Sequence, residues 1–276
     1  MVFHFFHHPR ARRTPAALAV LLSLTVALAA ACASPDPPSK RFGEILWRYP
    51  GTSEPLKVQT LSADAYAAIP PASRGKAVTI IVHPAYSLFF RDERRSTFTE
   101  AKYDLLKYQL DTEARFISEI ARTDNVLILV LPGSYPKESI APLSYTTYLN
   151  SLTGGSATVY AVYSETSSTG NLPMDTMVTL YGFLRSIKAT TVLVGGGYIG
   201  RCQREFYNQM VAYVDKVRTY VVPDISSISP DDISDRQAVE FLDSIKQKDY
   251  EPVKRLIQKL TQGGANTLPL PPLHHL

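Results

Sequence analysis

The sequence predicts an α/β domain, a three-layer sandwich in which a mostly parallel sheet is covered on both faces. Three observations carry this. Two near-continuous β-branched and apolar runs, Ala77–Val82 and Val126–Leu131, have the composition of strands buried on both sides. Segments with apolar residues at three- and four-residue spacing separate such runs, so strands and helices alternate. Each run also stops at a breaker, at His83-Pro84, Pro132-Gly133 and Pro223.

The elements follow in order. Residues 41–75 are irregular, and Ile69-Pro70-Pro71-Ala72-Ser73-Arg74-Gly75 interrupts any regular structure. The strand Ala77–Val82 comes next. From about Thr99 to Arg122, Leu106, Leu110, Ala114, Ile117 and Ala121 form one helical stripe. The strand Val126–Leu131 leads into a long polar region that includes Lys137. Ala157–Tyr163 reads as a further strand and Ser164–Gly170 as a loop. Pro173–Lys188 is helical, with Val178, Tyr181, Leu184 and Ile187 as its apolar stripe. Thr191–Val194 is a strand ending in Gly195-Gly196-Gly197, and Arg201–Val217 is helical again. Tyr220–Val222 is the last strand. Helices at about 236–247 and 251–262 close the domain, the second ending at Gly263-Gly264.

Domain organisation follows from composition. Residues 1–31 read as an export signal: Arg10, Arg12 and Arg13 precede an apolar run that ends in Ala29-Ala30-Ala31. Cys32 follows directly, and small residues before a cysteine resemble a bacterial lipobox. That resemblance implies lipidation of Cys32, with palmitate among its acyl chains, and Ala33 after it implies the outer membrane. Residues 32–40, rich in Pro and Ser, are then a tether. Residues 76–262 are the α/β domain and 263–276 a Pro-rich tail. The net charge is +4, but three of the 29 basic residues lie in the signal, and without them the balance is +1. With a near-neutral body, nothing suggests a nucleic-acid-binding surface. The expected contacts are a membrane, through the lipid, and an envelope protein or small molecule.

Cysteine and histidine are scarce. With Cys32 in the signal junction, Cys202 is the single thiol of the body. His83 is the single histidine of the body. This leaves no Cys/His cluster at metal-ligand spacing, so no metal and no cofactor is expected.

Chemistry in an open α/β sheet gathers at the carboxyl ends of strands. His83, the Lys137 loop and the run Gly195-Gly196-Gly197-Tyr198-Ile199-Gly200-Arg201-Cys202 fall there. Backbone amides at a helix start stabilise a thiolate or an oxyanion, which favours Cys202 as a nucleophile, helped by Arg201 if that side chain points inward.

The segments Thr179–Lys188, Thr191–Gly196, Cys202 and Tyr220–Asp224 resemble the isochorismatase-like cysteine hydrolases over about residues 76–226. Gly196, Cys202 and Asp224 match that family's pattern. The resemblance implies a cysteine that attacks a carbonyl or imine carbon, an aspartate base after the first strand, and a lysine after a middle strand. Here His83 replaces the aspartate, Ala85 and Tyr86 replace the usual Gln and aromatic residues, and Lys137 is the candidate lysine. Two readings follow. In one, the domain is catalytically altered and acts by binding in the envelope. In the other, His83 deprotonates Cys202, the turn of Gly196, Gly197 and Tyr198 holds the oxyanion, and a small amide or ester is hydrolysed. The plain alternative for the pair is a small buried thiol and a hydrogen-bonded strand end. Gly195, Gly197 and Gly200 also fit the spacing of a dinucleotide-binding turn, without its phosphate-binding companions.

Overall fold

The computed structural model describes residues 59–62, 64–89, 99–133, 142–154, 159–272 and 276. Cys32, Lys137, the signal segment and the tether lie outside these residues.

The apolar runs do form strands. β1 (Gln59–Thr60), β2 (Ala77–Val82), β3 (Leu127–Leu131), β4 (Val159–Tyr163), β5 (Thr191–Tyr198) and β6 (Arg218–Ser227) make one six-stranded sheet in the order β1-β4-β3-β2-β5-β6. Every pairing is parallel. The order reverses between β2 and β5, which places the switch point at the carboxyl ends of those two strands.

Helices cover both faces. They are the single turn α1 (Tyr86–Phe89), α2 (Glu100–Ile120), α3 (Pro142–Thr153), α4 (Met174–Ser186), α5 (Cys202–Tyr213), α6 (Asp235–Gln247) and α7 (Tyr250–Leu260). Alternation along the strands divides the core. Ile81, Leu129 and Leu193 pack with Leu110 and Ile117 of α2 and Leu149 of α3. Ile80, Val82, Ile128 and Val194 pack with Leu180 and Phe183 of α4 and Phe206 and Met210 of α5. A third cluster seats Phe241 of α6 and Val253 and Ile257 of α7 against Leu105 of α2 and Val221 of β6. The architecture is a three-layer α/β sandwich, as the sequence predicts.

Four local readings are corrected. Residues 41–75 include the short edge strand β1, paired with β4. The polar region after β3 contains α3, whose Tyr145, Tyr148, Leu149 and Leu152 are buried at helical spacing. Gly195-Gly196-Gly197 lies inside β5 rather than after it, and β6 is ten residues long. Beyond α7 the chain lies against β6: the Val221 amide donates to the Asn266 carbonyl, and the Leu268 amide to the Val221 carbonyl.

Candidate functional site

β2 ends in a turn that places His83. Its amide donates to the Val130 carbonyl of β3 at 2.8 Å, which carries the sheet one bond past the strand. Pro84 follows and stops the ladder. His83 and Ala85 then adopt left-handed backbone, with φ of 45° and 50°, a conformation that costs L-residues roughly 1 kcal/mol or more each. Glu113 of α2 holds this turn from below: its Oε1 accepts from the Ala85 amide at 2.7 Å. The Glu113 carboxyl is fully buried, burial pushes its pKa up to about 8, and Oε2 has no hydrogen-bond partner. It is a neutral acid at pH 7.

The His83 ring is 0% exposed. Nε2 lies 2.9 Å from Ser164 Oγ, at the end of β4. The Ser164 hydroxyl donates to the Thr166 carbonyl at 2.6 Å and accepts from the Gly133 amide at 3.3 Å. With its hydrogen directed at Thr166, Ser164 Oγ is left to accept a hydrogen bond from Nε2–H, which assigns His83 the Nε2–H tautomer. Nδ1 is left as a buried acceptor without a partner. Burial pulls the His83 pKa down to about 4, so the ring is neutral. Tyr86 stacks on it, with ring centroids 5.5 Å apart, and Tyr198 meets Tyr86 edge-on at 5.8 Å.

β5 runs beside β2, with Gly196 opposite Val82. At Gly196 φ is +72°, and a Cβ there would lie 2.3 Å from the Val82 carbonyl oxygen. At Gly197 φ is +48°, and a Cβ would lie 3.0 Å from Cys202 Sγ. Only glycine lets β5 bulge and still press against β2. Gln203, fully buried, holds the bulge by donating to the Gly196 carbonyl and to Ser226 Oγ, each at 2.8 Å.

Cys202 opens α5, as the sequence predicts. Its environment opposes the expected activation. The thiol is 4% exposed and belongs to the apolar cluster of Val82, Tyr198, Phe206 and Met210. Sγ accepts from the Tyr198 amide at 3.3 Å. Burial outweighs that and the helix-start amides, pushing the pKa up to about 11. Arg201 turns away: its guanidinium makes a bidentate pair with Asp232 at 2.7 and 3.0 Å. Neither ring nitrogen of His83 is hydrogen-bonded to Cys202, since Nε2 is on Ser164 and Nδ1 has no partner. The structure therefore brings Gly196, Gly197, Tyr198 and Cys202 together at the switch point but forms no His83–Cys202 ion pair or hydrogen bond.

Asp224 lies within β6, where it accepts from the Tyr250 hydroxyl at 2.7 Å and the Leu270 amide at 3.0 Å; it ties the C-terminal segment down. The dinucleotide-turn spacing is also explained otherwise. Gly195 and Gly197 are strand residues, not a strand-to-helix turn, and Asp215 accepts from the Tyr181 hydroxyl at 2.6 Å. Among the described residues, no three His, Cys, Asp or Glu side chains are grouped to hold a metal.

Two residues around His83 escape a periodicity reading. Glu113 is detectable in principle: it sits three residues after Leu110 and four before Ile117, a charge on the buried stripe of α2. Ser164 carries no local signal. It also lines a cleft of about 410 Å³ beyond the ends of β3 and β4, with Thr60, Leu61, Glu165, Pro173 and Asp175 among its walls.

No family model matches the sequence, and no curated protein matches it. Among solved structures, the YcaC gene product of Escherichia coli, described as an octameric hydrolase of unknown specificity, is similar at 13% identity. That match covers 71% of this chain and 76% of that one, with a TM-score of 0.37. YcaC from Pseudomonas aeruginosa, with hexane-2,5-diol and covalent acrylamide, is similar at 15% identity over 71% and 76%, with a TM-score of 0.36. The MAR1 ribonuclease of Caenorhabditis elegans is similar at 15% identity over 72% and 98%, also with a TM-score of 0.36. The fold assignment rests on the sheet and layers described above.

Proposed function

We propose that this chain is an exported, lipid-anchored envelope protein whose domain is a divergent relative of the isochorismatase-like cysteine hydrolases and acts by binding rather than by catalysis. The observation that carries the reading is the state of Cys202, a thiol sealed under apolar side chains with its pKa near 11 and no base hydrogen-bonded to it. A nucleophile needs a thiolate and a path to the substrate; burial of this thiol opposes both. The family-like turn persists as scaffold, because Gly196 and Gly197 are required by the close approach of β5 to β2. Among the described residues, an open cleft lies beyond β4, which suits a binding role.

Export and anchoring rest on the sequence. The basic residues, the apolar run and Ala29-Ala30-Ala31 before Cys32 support cleavage and lipidation there, and Ala33 supports the outer membrane.

Catalysis is tested with p-nitrophenyl acetate and a panel of short amides, comparing the unaltered chain with Cys202→Ala. The expected result is turnover at the uncatalysed rate for both. Turnover lost specifically in Cys202→Ala would overturn the binding reading. Mass spectrometry of the mature N-terminus tests the anchor: a diacylglyceryl adduct on Cys32 is expected, and an unmodified terminus would refute it.

A further inference from the structure

We propose that the edge of β6 is a docking groove for the C-terminal segment of a second copy of this chain, residues 265–270 passing from one copy to the other. What the groove accepts is visible, because the chain's own segment is seated in it. Thr267 pairs with Val221 in a parallel bridge. The Val221 amide donates to the Asn266 carbonyl at 2.8 Å, and the Leu268 amide donates to the Val221 carbonyl at 3.0 Å. The ladder then ends, since neither Pro223 nor Pro269 has an N–H to extend it. Asp224 takes over, its Oδ2 accepting from the Leu270 amide at 3.0 Å, and the Tyr207 hydroxyl accepts from the Asn266 amide at 3.0 Å. Leu268 and Leu270, at alternate positions, pack on the cluster that holds Val222 and Ile225, and Ala265 joins the cluster of Phe241 and Val253. The ligand of this edge is therefore an extended strand with leucines on either side of a proline.

A hinge makes exchange feasible. The segment is joined to α7 through Gln262-Gly263-Gly264, all exposed. Gln262 and Gly263 have φ of 56° and 88°, and a Cβ added at Gly263 would meet nothing within 4 Å. The hinge is thus unpacked, and the segment swings without disturbing α7. Every copy carries the same hinge, segment and groove. Contacts given up within one chain are regained between two, and the arrangements differ by hinge conformation and the entropy of association. An empty edge would present the Val221 amide and carbonyl, the Asp224 carboxylate and apolar surface, so one arrangement or the other keeps it covered. The segment whose fit is shown is the chain's own, which names a second copy, rather than an unrelated peptide, as the partner.

The test uses full chains carrying Cys32→Ser. One carries Val221→Cys and another Thr267→Cys, so a disulfide between these positions joins two chains only when the segment of one lies on β6 of the other. A single chain with both substitutions is the control: its closure, read by loss of free thiol, shows that the pair meets disulfide geometry. The two single variants are mixed at roughly millimolar concentration, the order of the effective concentration of a short tether, and oxidised with copper phenanthroline. A disulfide-linked dimer is expected on non-reducing electrophoresis, at least roughly tenfold above either variant alone and rising with concentration. Deleting Gly263 and Gly264 from the Thr267→Cys chain shortens the reach to its own groove by about 7 Å and should give the dimer at micromolar concentration. Leu268→Asp with Leu270→Asp in that chain should remove it. Circular dichroism checks folding, and if the shortened hinge prevents it, the mixture with the unaltered hinge decides. No cross-chain disulfide, a yield flat with concentration, a yield unchanged by the two leucine substitutions, or failure of the control chain to close would each overturn the inference. Cys202-dependent turnover would leave this result standing, and a missing cross-chain disulfide would leave the reading of Cys202 standing.

Discussion

The Nε2–H of His83 meets the hydroxyl oxygen of Ser164 at 2.9 Å, at the ends of β2 and β4. This bond commits the only described imidazole to a strand-end network with the Thr166 carbonyl and the Gly133 amide. The ring becomes a fixed donor that holds two strand ends together, and its remaining lone pair lies buried.

Ser164→Ala should therefore destabilise the domain by about 1–3 kcal/mol, the cost of leaving a buried ring N–H without an acceptor. Chemical denaturation measures it. Nitrogen NMR of His83 should show the Nε2–H tautomer in the folded protein, and an Nδ1–H tautomer would contradict the network.

His83 and Glu113 set opposite pH dependences. The folded pKa of His83, about 4, lies below the 6.5 of an unperturbed imidazole. The unfolded chain binds more protons between these values, so the His83 contribution is complete above pH 6.5 and is lost as pH falls toward 4. The folded pKa of Glu113, about 8, lies above 4.5. Here the folded chain binds more protons, so stability is complete below pH 4.5 and is lost as pH rises toward 8. Between pH 4.5 and 6.5 the two slopes cancel. Between pH 6.5 and 8 Glu113 alone acts, and stability falls by up to roughly tenfold in the folding equilibrium per unit. Glu113→Gln, a neutral isostere, should flatten that alkaline limb, while His83→Asn, chosen because Asn tolerates left-handed backbone, should flatten the acid one. Denaturation midpoints across pH 4–9 read both. An alkaline limb unchanged in Glu113→Gln would sink the assignment.

Gly196→Ala should cost about 2–4 kcal/mol or prevent folding, because its Cβ would lie 2.3 Å from the Val82 carbonyl oxygen on a backbone at φ +72°. Arg201→Ala should cost less than about 1 kcal/mol, since its side chain is 48% exposed and its pair with Asp232 is screened. Thermal melts compare the two, and a larger loss for Arg201→Ala would contradict the account.

Much of this architecture is legible in the chain. The runs around Val78–Val82 and Leu127–Leu131 are so apolar that only a two-sided burial explains them, and the stripe of α2 places that helix. The stripe expected for α4 is off by part of a turn: Met177, Leu180, Phe183 and Leu184 are buried, while Val178 is 61% exposed. α3 escapes because Pro142–Thr153 holds Tyr, Thr and Ser, weak helix formers, with no charge to mark a solvent face. β1 escapes because two exposed residues make a strand only by pairing with β4. The glycines of β5 read as a turn because strand interiors rarely carry them, and the reason they do here is contact with β2, which is non-local. The chemistry at Cys202 was the least legible part. A helix start argues for a thiolate, and only the packing of Phe206, Met210 and Tyr198 around it decides that burial prevails.

The most direct measurement is the rate of alkylation of Cys202 by iodoacetamide in the folded protein as a function of pH, with Cys32→Ser removing the second thiol. The account predicts slow labelling with a midpoint near pH 11, limited by opening of the fold. Rapid labelling at neutral pH, with a midpoint well below about 8.5, would contradict it and restore Cys202 as a nucleophile.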